Sequence, residues 1–263
     1  MRRLHLFEFE DLHWFPGFLR NYLTDFLQFI ANRLDIYKPV ILLIEKGIAN
    51  GKTNTIIDLA SGGGGGLIKL CSHLKKNNTD LKIILTDYYP NIDAFKNTTQ
   101  QSPHFEYIPY SVNALDVPAQ LKGLRTQFLS FHHFKPQQAQ AILQNAVIAQ
   151  NPIAIFEIQE RSLRSIVSMI FSPVAVLIAT PMIRPFKWGR ILFTYLIPLV
   201  PLFVFWDGIV SSLRTYSINE MKELINNLQN KDNYEWQTGK IKSGPGVILY
   251  LTGYKKIKKI ISY

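Results

Sequence analysis

Ile56-Ile57-Asp58-Leu59-Ala60-Ser61-Gly62-Gly63-Gly64-Gly65-Gly66-Leu67 carries the chain's strongest fold signal. An apolar run ends in an acid, and five consecutive glycines follow. The run predicts a buried parallel strand. The glycines predict a turn in which backbone approaches something closely, because no Cβ stands in the way. From Leu67 to Leu74 the spacing is helical, with Leu67, Leu70, Cys71 and Leu74 on one face. Strand, glycine turn and helix form the first unit of a nucleotide-binding α/β domain, with the ligand at the helix N-terminus.

The dinucleotide fingerprint Gly-x-Gly-x-x-Gly/Ala does not fit these glycines. Begun at Gly62 it ends on Leu67, and begun at Gly63 it ends on Ile68. The Gly-Lys-Ser/Thr ending of a phosphate loop is absent here as well. Acid-x-Gly-x-Gly-x-Gly does fit, carried by Asp58, Ala60, Gly62 and Gly64, with Ala60 in the first glycine place. This pattern resembles the S-adenosyl-L-methionine (SAM) loop of class I methyltransferases. The resemblance implies an α/β, Rossmann-like sheet of seven strands with an antiparallel last hairpin. It implies SAM as cofactor and S-adenosylhomocysteine (SAH) as product. It also implies that Asp58, Ala60, Ser61, Gly62 and Gly64 hold the cofactor, with Asp58 suited to its cationic methionine end.

Downstream residues extend the resemblance. Leu81 to Leu85 predicts a second strand, ending in Thr86-Asp87-Tyr88 about twenty residues past the glycines, where an acid accepts ribose hydroxyls. The plainer reading is that Asp87 starts a turn before Pro90. Phe105 to Tyr110 predicts the next strand, and Val112-Asn113-Ala114-Leu115-Asp116-Val117 follows it. In the family an acid at this place receives the adenine amino group. That makes Asp116 the expected adenine partner, with Ala114 and Leu115 beside it; otherwise Asp116 caps a helix or turn ahead of Pro118.

Leu124 to Phe131 predicts the fourth strand, ending in His132-His133-Phe134. Ligands sit outside the carboxyl ends of such strands. A His-His pair here resembles the fourth-strand end of many small-molecule methyltransferases, where a histidine acts as general base or lines the pocket. Imidazole takes up a proton near neutral pH, so His132 and His133 are the candidate catalytic residues. The alternative is that they bond backbone. The Asn/Asp-Pro-Pro-Tyr motif used on amino groups of bases is absent, which argues against nucleic-acid methylation. Gln137 to Ala149 predicts an amphipathic helix, and Ile153 to Ile158 a fifth strand with Glu157, a substrate-side candidate, near its end.

An insert then interrupts the expected order. Ser165 to Ile183 and Ile191 to Trp206 are almost wholly apolar, separated by Arg184-Pro185-Phe186-Lys187-Trp188-Gly189-Arg190. Prolines at 173, 181, 198 and 201 predict kinks or breaks. Three readings stay open: a membrane-spanning hairpin, a hairpin dipping into one leaflet with its basic and Trp residues at the headgroups, and a soluble lid. Each starts beside the fifth strand's carboxyl end, so the insert is expected to border the substrate pocket. Asp207 and Arg214, just after it, either bond each other or orient substrate. Ser217-Ile218-Asn219-Glu220 is a capping box for another helix. Tyr234 to Ile241 and Val247 to Tyr254 predict the closing hairpin.

The 263 residues thus divide into an N-terminal helical cap (1–50), a SAM-binding domain (51–161 and 207–263) and a hydrophobic helical insert (162–206). In the cap, Phe18, Tyr22, Phe26, Phe29 and Ile30 recur at helical spacing. His13 and Trp14 are structural or touch substrate, since helices before this kind of sheet fold over the SAM site in the family. At 47% hydrophobic and 18% charged the chain can bury a sizeable core. A lone cysteine, Cys71, suits a reducing compartment. Glu8, Glu10 and Asp11 interrupt any signal-peptide core, so the expected location is cytoplasmic, at or in the inner face of a membrane. The formal charge of +10 fits nucleic acid or anionic lipid. However, the basic residues are scattered apart from Lys255, Lys256, Lys258 and Lys259, and no zinc spacing or nucleic-acid motif occurs. The expectation is a SAM-dependent methyltransferase for a small or lipophilic acceptor, moving a methyl to oxygen, nitrogen or sulfur without a metal. The alternative is a non-catalytic SAM- or SAH-binding module at a membrane.

Overall fold

The computed structural model describes residues 1–256. Its centre is a seven-stranded sheet: β1 (Thr55–Asp58), β2 (Lys82–Leu85), β3 (Phe105–Tyr107), β4 (Leu124–Phe128), β5 (Ile153–Glu157), β6 (Tyr234–Ser243) and β7 (Gly246–Lys255). The spatial order is β3-β2-β1-β4-β5-β7-β6. The first five strands pair in parallel, and β7 runs antiparallel to both β5 and β6. This is a Rossmann-like sheet with the antiparallel last hairpin that the sequence resemblance implies, and the chain reverses direction at β1, between β2 and β4. Such a reversal opens a crevice at the strands' carboxyl ends.

Successive strand residues face opposite sides. Ile56 packs with α2 (Ile41–Gly51) and α3 (Leu67–Leu74) on one face, where α4 (Ile92–Gln101) adds Phe95. Ile57 packs with α5 (Pro136–Ile148) and α10 (Ile218–Asn226) on the other. Both isoleucines are fully buried, each contributing about 1.5–3 kcal/mol by leaving water. The predicted face of α3 is the buried one: Leu67, Leu70, Cys71 and Leu74. The capping box of α10 forms as well. Ser217 Oγ accepts the Glu220 N–H, and Glu220 Oε2 accepts the Ser217 N–H at 2.8 Å.

A third cluster joins α1 (Gly17–Arg33) to the insert. Leu19, Tyr22, Leu23 and Phe26 of α1 pack on Val176 and Ala179 of α7 (Ser172–Ala179) and on Val200 and Val204 of α9 (Leu199–Arg214). The insert is more broken than its apolar runs predict. α6 (Leu163–Met169), α7, α8 (Trp188–Ile191), a π-helical turn at Leu192–Leu196 and α9 replace two long helices. Pro173, Pro181, Pro198 and Pro201 stand at or beside starts of these pieces, where a missing N–H costs least. Among the described residues no single helix is long and apolar enough to cross a membrane. Two further spans are shorter than predicted. β3 ends at Tyr107, and β4 ends at Phe128, where Leu129 takes φ +52 and turns the chain into a 3-10 turn over Phe131–His133. Lys258 and Lys259 of the basic tail lie outside the described residues.

Candidate functional site

A cavity of about 530 Å³ opens at the carboxyl ends of the parallel strands, within the roughly 300–1,000 Å³ range of small-molecule sites. The turn after β1 lines it with Ala60, Ser61, Gly62, Gly63 and Gly65. The loop after β2 adds Asp87, Tyr88, Tyr89 and Asn91, and the loop after β3 adds Val112, Asn113, Ala114 and Leu115. Leu129, Ser130, His133 and Phe134 come from beyond β4, and Ile158 from beyond β5. Asn21, Thr24, Leu27, Ile30 and Ala31 of α1 cover it, and Glu10 and Asp11 close one side.

The glycine turn is shaped by α1 as much as by any ligand. A Cβ on Gly63 would stand 2.9 Å from the Thr24 carbonyl oxygen, and one on Gly62 3.2 Å from Thr24 Cγ2. Gly62 also takes φ +55, and Ala60, in the first glycine place of the motif, takes φ +56. An alanine therefore holds a left-handed conformation there, at a cost of about 1–2 kcal/mol.

Asp87 ties the second strand to this turn. Its Oδ2 accepts the Gly62 N–H and its Oδ1 the Tyr89 N–H, each at 2.7 Å. Burial raises its pKa, and the two amides partly offset the rise. Each carboxylate oxygen keeps a lone pair for a further donor. Asp58, by contrast, does not line the cavity. Its Oδ2 accepts the Ser61 hydroxyl and its Oδ1 the Thr126 hydroxyl, both at 2.7 Å. Burial lifts it to about 7 against those hydroxyls. It braces β1, β4 and the turn, which corrects the expectation that it faces a cationic ligand. Gly64 is also off the lining, where its neighbours Gly63 and Gly65 stand. Asp116 is exposed and outside the cavity; Asn113 is the polar residue of that loop on its wall.

The two histidines belong to a buried ion network. Glu157 Oε1 accepts the Phe131 and His132 N–H groups at 2.7 and 3.2 Å, and its Oε2 meets His132 Nδ1 at 2.7 Å. Glu8 Oε2 stands 3.7 Å from His132 Nε2 and 3.5 Å from His133 Nδ1, which meets Asp11 Oδ1 at 2.7 Å. Arg214 Nη1 reaches Glu8 at 2.8 Å and Asp11 at 2.6 Å. Burial opposes charge on His132, but Glu157 and Glu8 outweigh it and raise the group to about 10. Burial likewise opposes charge on His133, and Glu8 and Asp11 overcome it. Burial would raise Glu8, but His133, His132 and Arg214 hold it at about 2.

His132 is therefore imidazolium at neutral pH, and Glu8 and Asp11 favour the charged form of His133. His132 is also away from the cavity wall. This corrects the general-base expectation for His132; His133 lines the cavity. Glu8, His132 and His133 come close enough to hold a metal ion, but Arg214 already serves Glu8 as its cation.

None of the remaining substrate-side candidates lines the cavity. Glu157 is consumed by the turn it caps. Asp207 accepts the Phe9 and Glu10 N–H groups at 2.8 and 3.4 Å, and with Arg214 it pins the N-terminal segment. His13 and Trp14 are exposed and off the cavity. Phe131–His133, α9 and the N-terminal segment are joined because Glu8, Glu157, His132 and Arg214 would each be costly to bury alone.

Four wall residues escape the sequence pattern. Glu10 Oε1, Asn91 Nδ2 and Ser130 Oγ are closed off from solvent, with no hydrogen-bond partner among the described residues. Burial, reinforced by Asp207, raises Glu10 to about 8. Arg20 donates to the Glu10 and Leu12 carbonyls at 3.0 and 2.8 Å and lies over the Tyr89 ring. No spacing marks any of these; they meet only because residues 8–11 fold back against α1. Unpaired buried polar groups on a cavity wall are what a polar ligand would satisfy. The insert supplies no wall residue, so the expectation that it borders the pocket is corrected: α1 stands between.

No protein-family model matches the chain, and no curated protein matches it. Among solved structures it is similar to an O-methyltransferase family protein from Burkholderia thailandensis, with 14% identity and a TM-score of 0.49, over 86% of this chain and 58% of that one. A SAM dependent methyltransferase from Aquifex aeolicus matches at 15% identity and a TM-score of 0.49, over 88% of this chain and 97% of that one. Human N-acetylserotonin methyltransferase in complex with SAM matches at 11% and 0.47, over 88% and 56%. The chain spans less than three fifths of the Burkholderia and human proteins. Likenesses at this level carry no activity across, so the functional reading rests on this chain's own fold and cavity.

Proposed function

We propose that the chain is a SAM-dependent methyltransferase acting on a small or lipophilic acceptor. One observation carries the reading: a single cavity is walled by Ala60–Gly63, Asp87 and Val112–Leu115, the loops after β1, β2 and β3. Its size and its unpartnered polar groups fit the cofactor. Asp87 would take the ribose hydroxyls through its remaining lone pairs. Val112, Ala114 and Leu115 offer apolar surface to adenine. When bound, SAM supplies an electrophilic methyl group.

The chain's own part is positioning, drying and proton handling. α1 and the N-terminal segment wall the cavity off from water on one side. Leu27, Ile30, Phe128, Phe134 and Ile158 give its wall an apolar stretch that suits a lipophilic acceptor. Glu10 is the group suited to take the proton leaving an acceptor oxygen, nitrogen or sulfur. Its value near 8 keeps a useful fraction ionised at working pH. His133, whose charged form Glu8 and Asp11 favour, is placed to donate to a developing negative charge.

A non-catalytic SAM- or SAH-binding module is the second reading. The observation that favours it is the locking of both histidines in ion pairs. Incubating the protein with methyl-labelled SAM and cell extract, followed by mass spectrometry, separates the two. A labelled product that Asp87→Ala fails to make supports the enzyme. SAM binding without any labelled product supports the module.

A further inference from the structure

We propose that the outer face of the insert docks onto the surface of an anionic lipid bilayer. The inference stands apart from methyl transfer, since the insert contributes nothing to the cavity wall.

A helix on a soluble surface keeps its apolar stripe inward. Here the inward stripe exists, with Val176 and Ala179 against α1, and a second apolar stripe faces out. Leu163, Val167, Ile170, Phe171, Val174 and Ile178 follow one another at steps of three to four, apart from the single step to Phe171, and all are exposed. Leu163 is 72% exposed and Phe171 66%. Trp188 at 80% and Leu196 at 77% extend the apolar surface across the other half of the insert. Contiguous apolar surface on this scale marks an interaction site.

Charge identifies the occupant. No Asp or Glu occurs between Glu160 and Asp207, while Arg161, Arg164, Arg184, Lys187 and Arg190 do. Arg161 is used on Glu220 and Arg190 on Asp25. Arg164 and Arg184 are exposed and make no salt bridge among the described residues; each donates only to a proline carbonyl. An apolar face edged by arginines and a tryptophan matches acyl chains below anionic headgroups. A second copy would bring the same cations against each other.

The geometry favours lying on the bilayer over crossing it. The two helix pairs that together reach spanning length bend by 41° and 76° at their breaks. The inner face is already packed on α1 and anchored by the buried Arg190–Asp25 pair at 2.7 Å.

Vesicle flotation tests this with the intact chain. Vesicles of phosphatidylglycerol and phosphatidylcholine are compared with phosphatidylcholine alone, at low and high salt. The expected result is flotation with the anionic vesicles, weakened by salt, and lost in Phe171→Ser/Ile178→Ser. Each of Arg164→Gln and Arg184→Gln should weaken it by roughly fivefold, at about 1 kcal/mol for a cation near the surface. All four residues are exposed, and circular dichroism checks that the variants fold. Equal binding by Phe171→Ser/Ile178→Ser overturns the proposal. So does absence of flotation by the native chain, or resistance to carbonate extraction, which means a spanning insert. A dimer in lipid-free buffer that Phe171→Ser/Ile178→Ser dissociates overturns it too, because the face then serves a second copy.

Discussion

Arg190 of the insert meets Asp25 of α1 at 2.7 Å, and both side chains are buried. Lys187 stands 3.3 Å from the same carboxylate. Asp25 follows Thr24, whose carbonyl packs on the glycine turn. The pair therefore sets where α1 lies over the cavity. Asp25→Leu strands a buried guanidinium and should cost about 3–5 kcal/mol in urea unfolding. Asp25→Leu/Arg190→Met, which removes both charges, should recover most of that loss. A single-variant cost below about 1 kcal/mol would show the seam to be held by its apolar contacts alone.

The ion network sets two limbs of a stability–pH curve. His132 is raised from an ordinary 6.5 to about 10, so its contribution is whole below about 6.5 and lost as pH climbs through about 10. Glu8 is lowered from 4.5 to about 2, so its contribution is whole above about 4.5 and lost as pH falls toward about 2. His132→Gln should accordingly destabilise more at pH 6 than in alkali, and Glu8→Gln more at pH 6 than at pH 3. A flat difference between variant and native across the range, by calorimetry, would contradict this assignment.

Glu10 gives the pH dependence of the reaction. If it takes the acceptor proton, kcat/KM should rise with pH, reach half its plateau near 8, where Glu10 is half ionised, and level off above that. Glu10→Gln should remove that rise and lower turnover by roughly 10²–10⁴-fold, while SAM affinity stays near native. Unchanged turnover in Glu10→Gln, alongside a strong loss in His133→Gln, would return the base to the histidine.

Two substitutions in the glycine turn should move stability in opposite directions. Ala60→Gly relieves a left-handed alanine and should gain about 1 kcal/mol. Gly63→Ala drives a Cβ to 2.9 Å from the Thr24 carbonyl and should lose about 1–3 kcal/mol. Thermal unfolding of the two variants reads both signs at once.

The sheet was legible because its signals are local. An apolar run before Asp58, helical spacing from Leu67 and a capping box at Ser217 each need only a short window. The cavity loops after β1 and β2 were legible for the same reason: Ala60, Gly62 and Asp87 lie within a few residues of strand ends. The network was not. Glu157, His132, Arg214 and Glu8 are far apart in sequence, and whether a buried histidine is a base or a cation depends on which acids fold against it. Glu10 differs from its neighbours Glu8 and Asp11 in making no salt bridge among the described residues. The insert's two faces were hidden by a different cause. When both sides of a helix are apolar, periodicity cannot say which one is buried.

We propose that this cavity takes SAM, with Asp87 as its polar anchor. Titration calorimetry of the native chain with SAM, SAH and NAD is the decisive measurement. The expected result is one site for SAM and for SAH, none for NAD, and a loss of roughly tenfold or more in Asp87→Ala, as for a charged hydrogen-bond acceptor. Tight NAD binding, or SAM binding unchanged in Asp87→Ala, would contradict it.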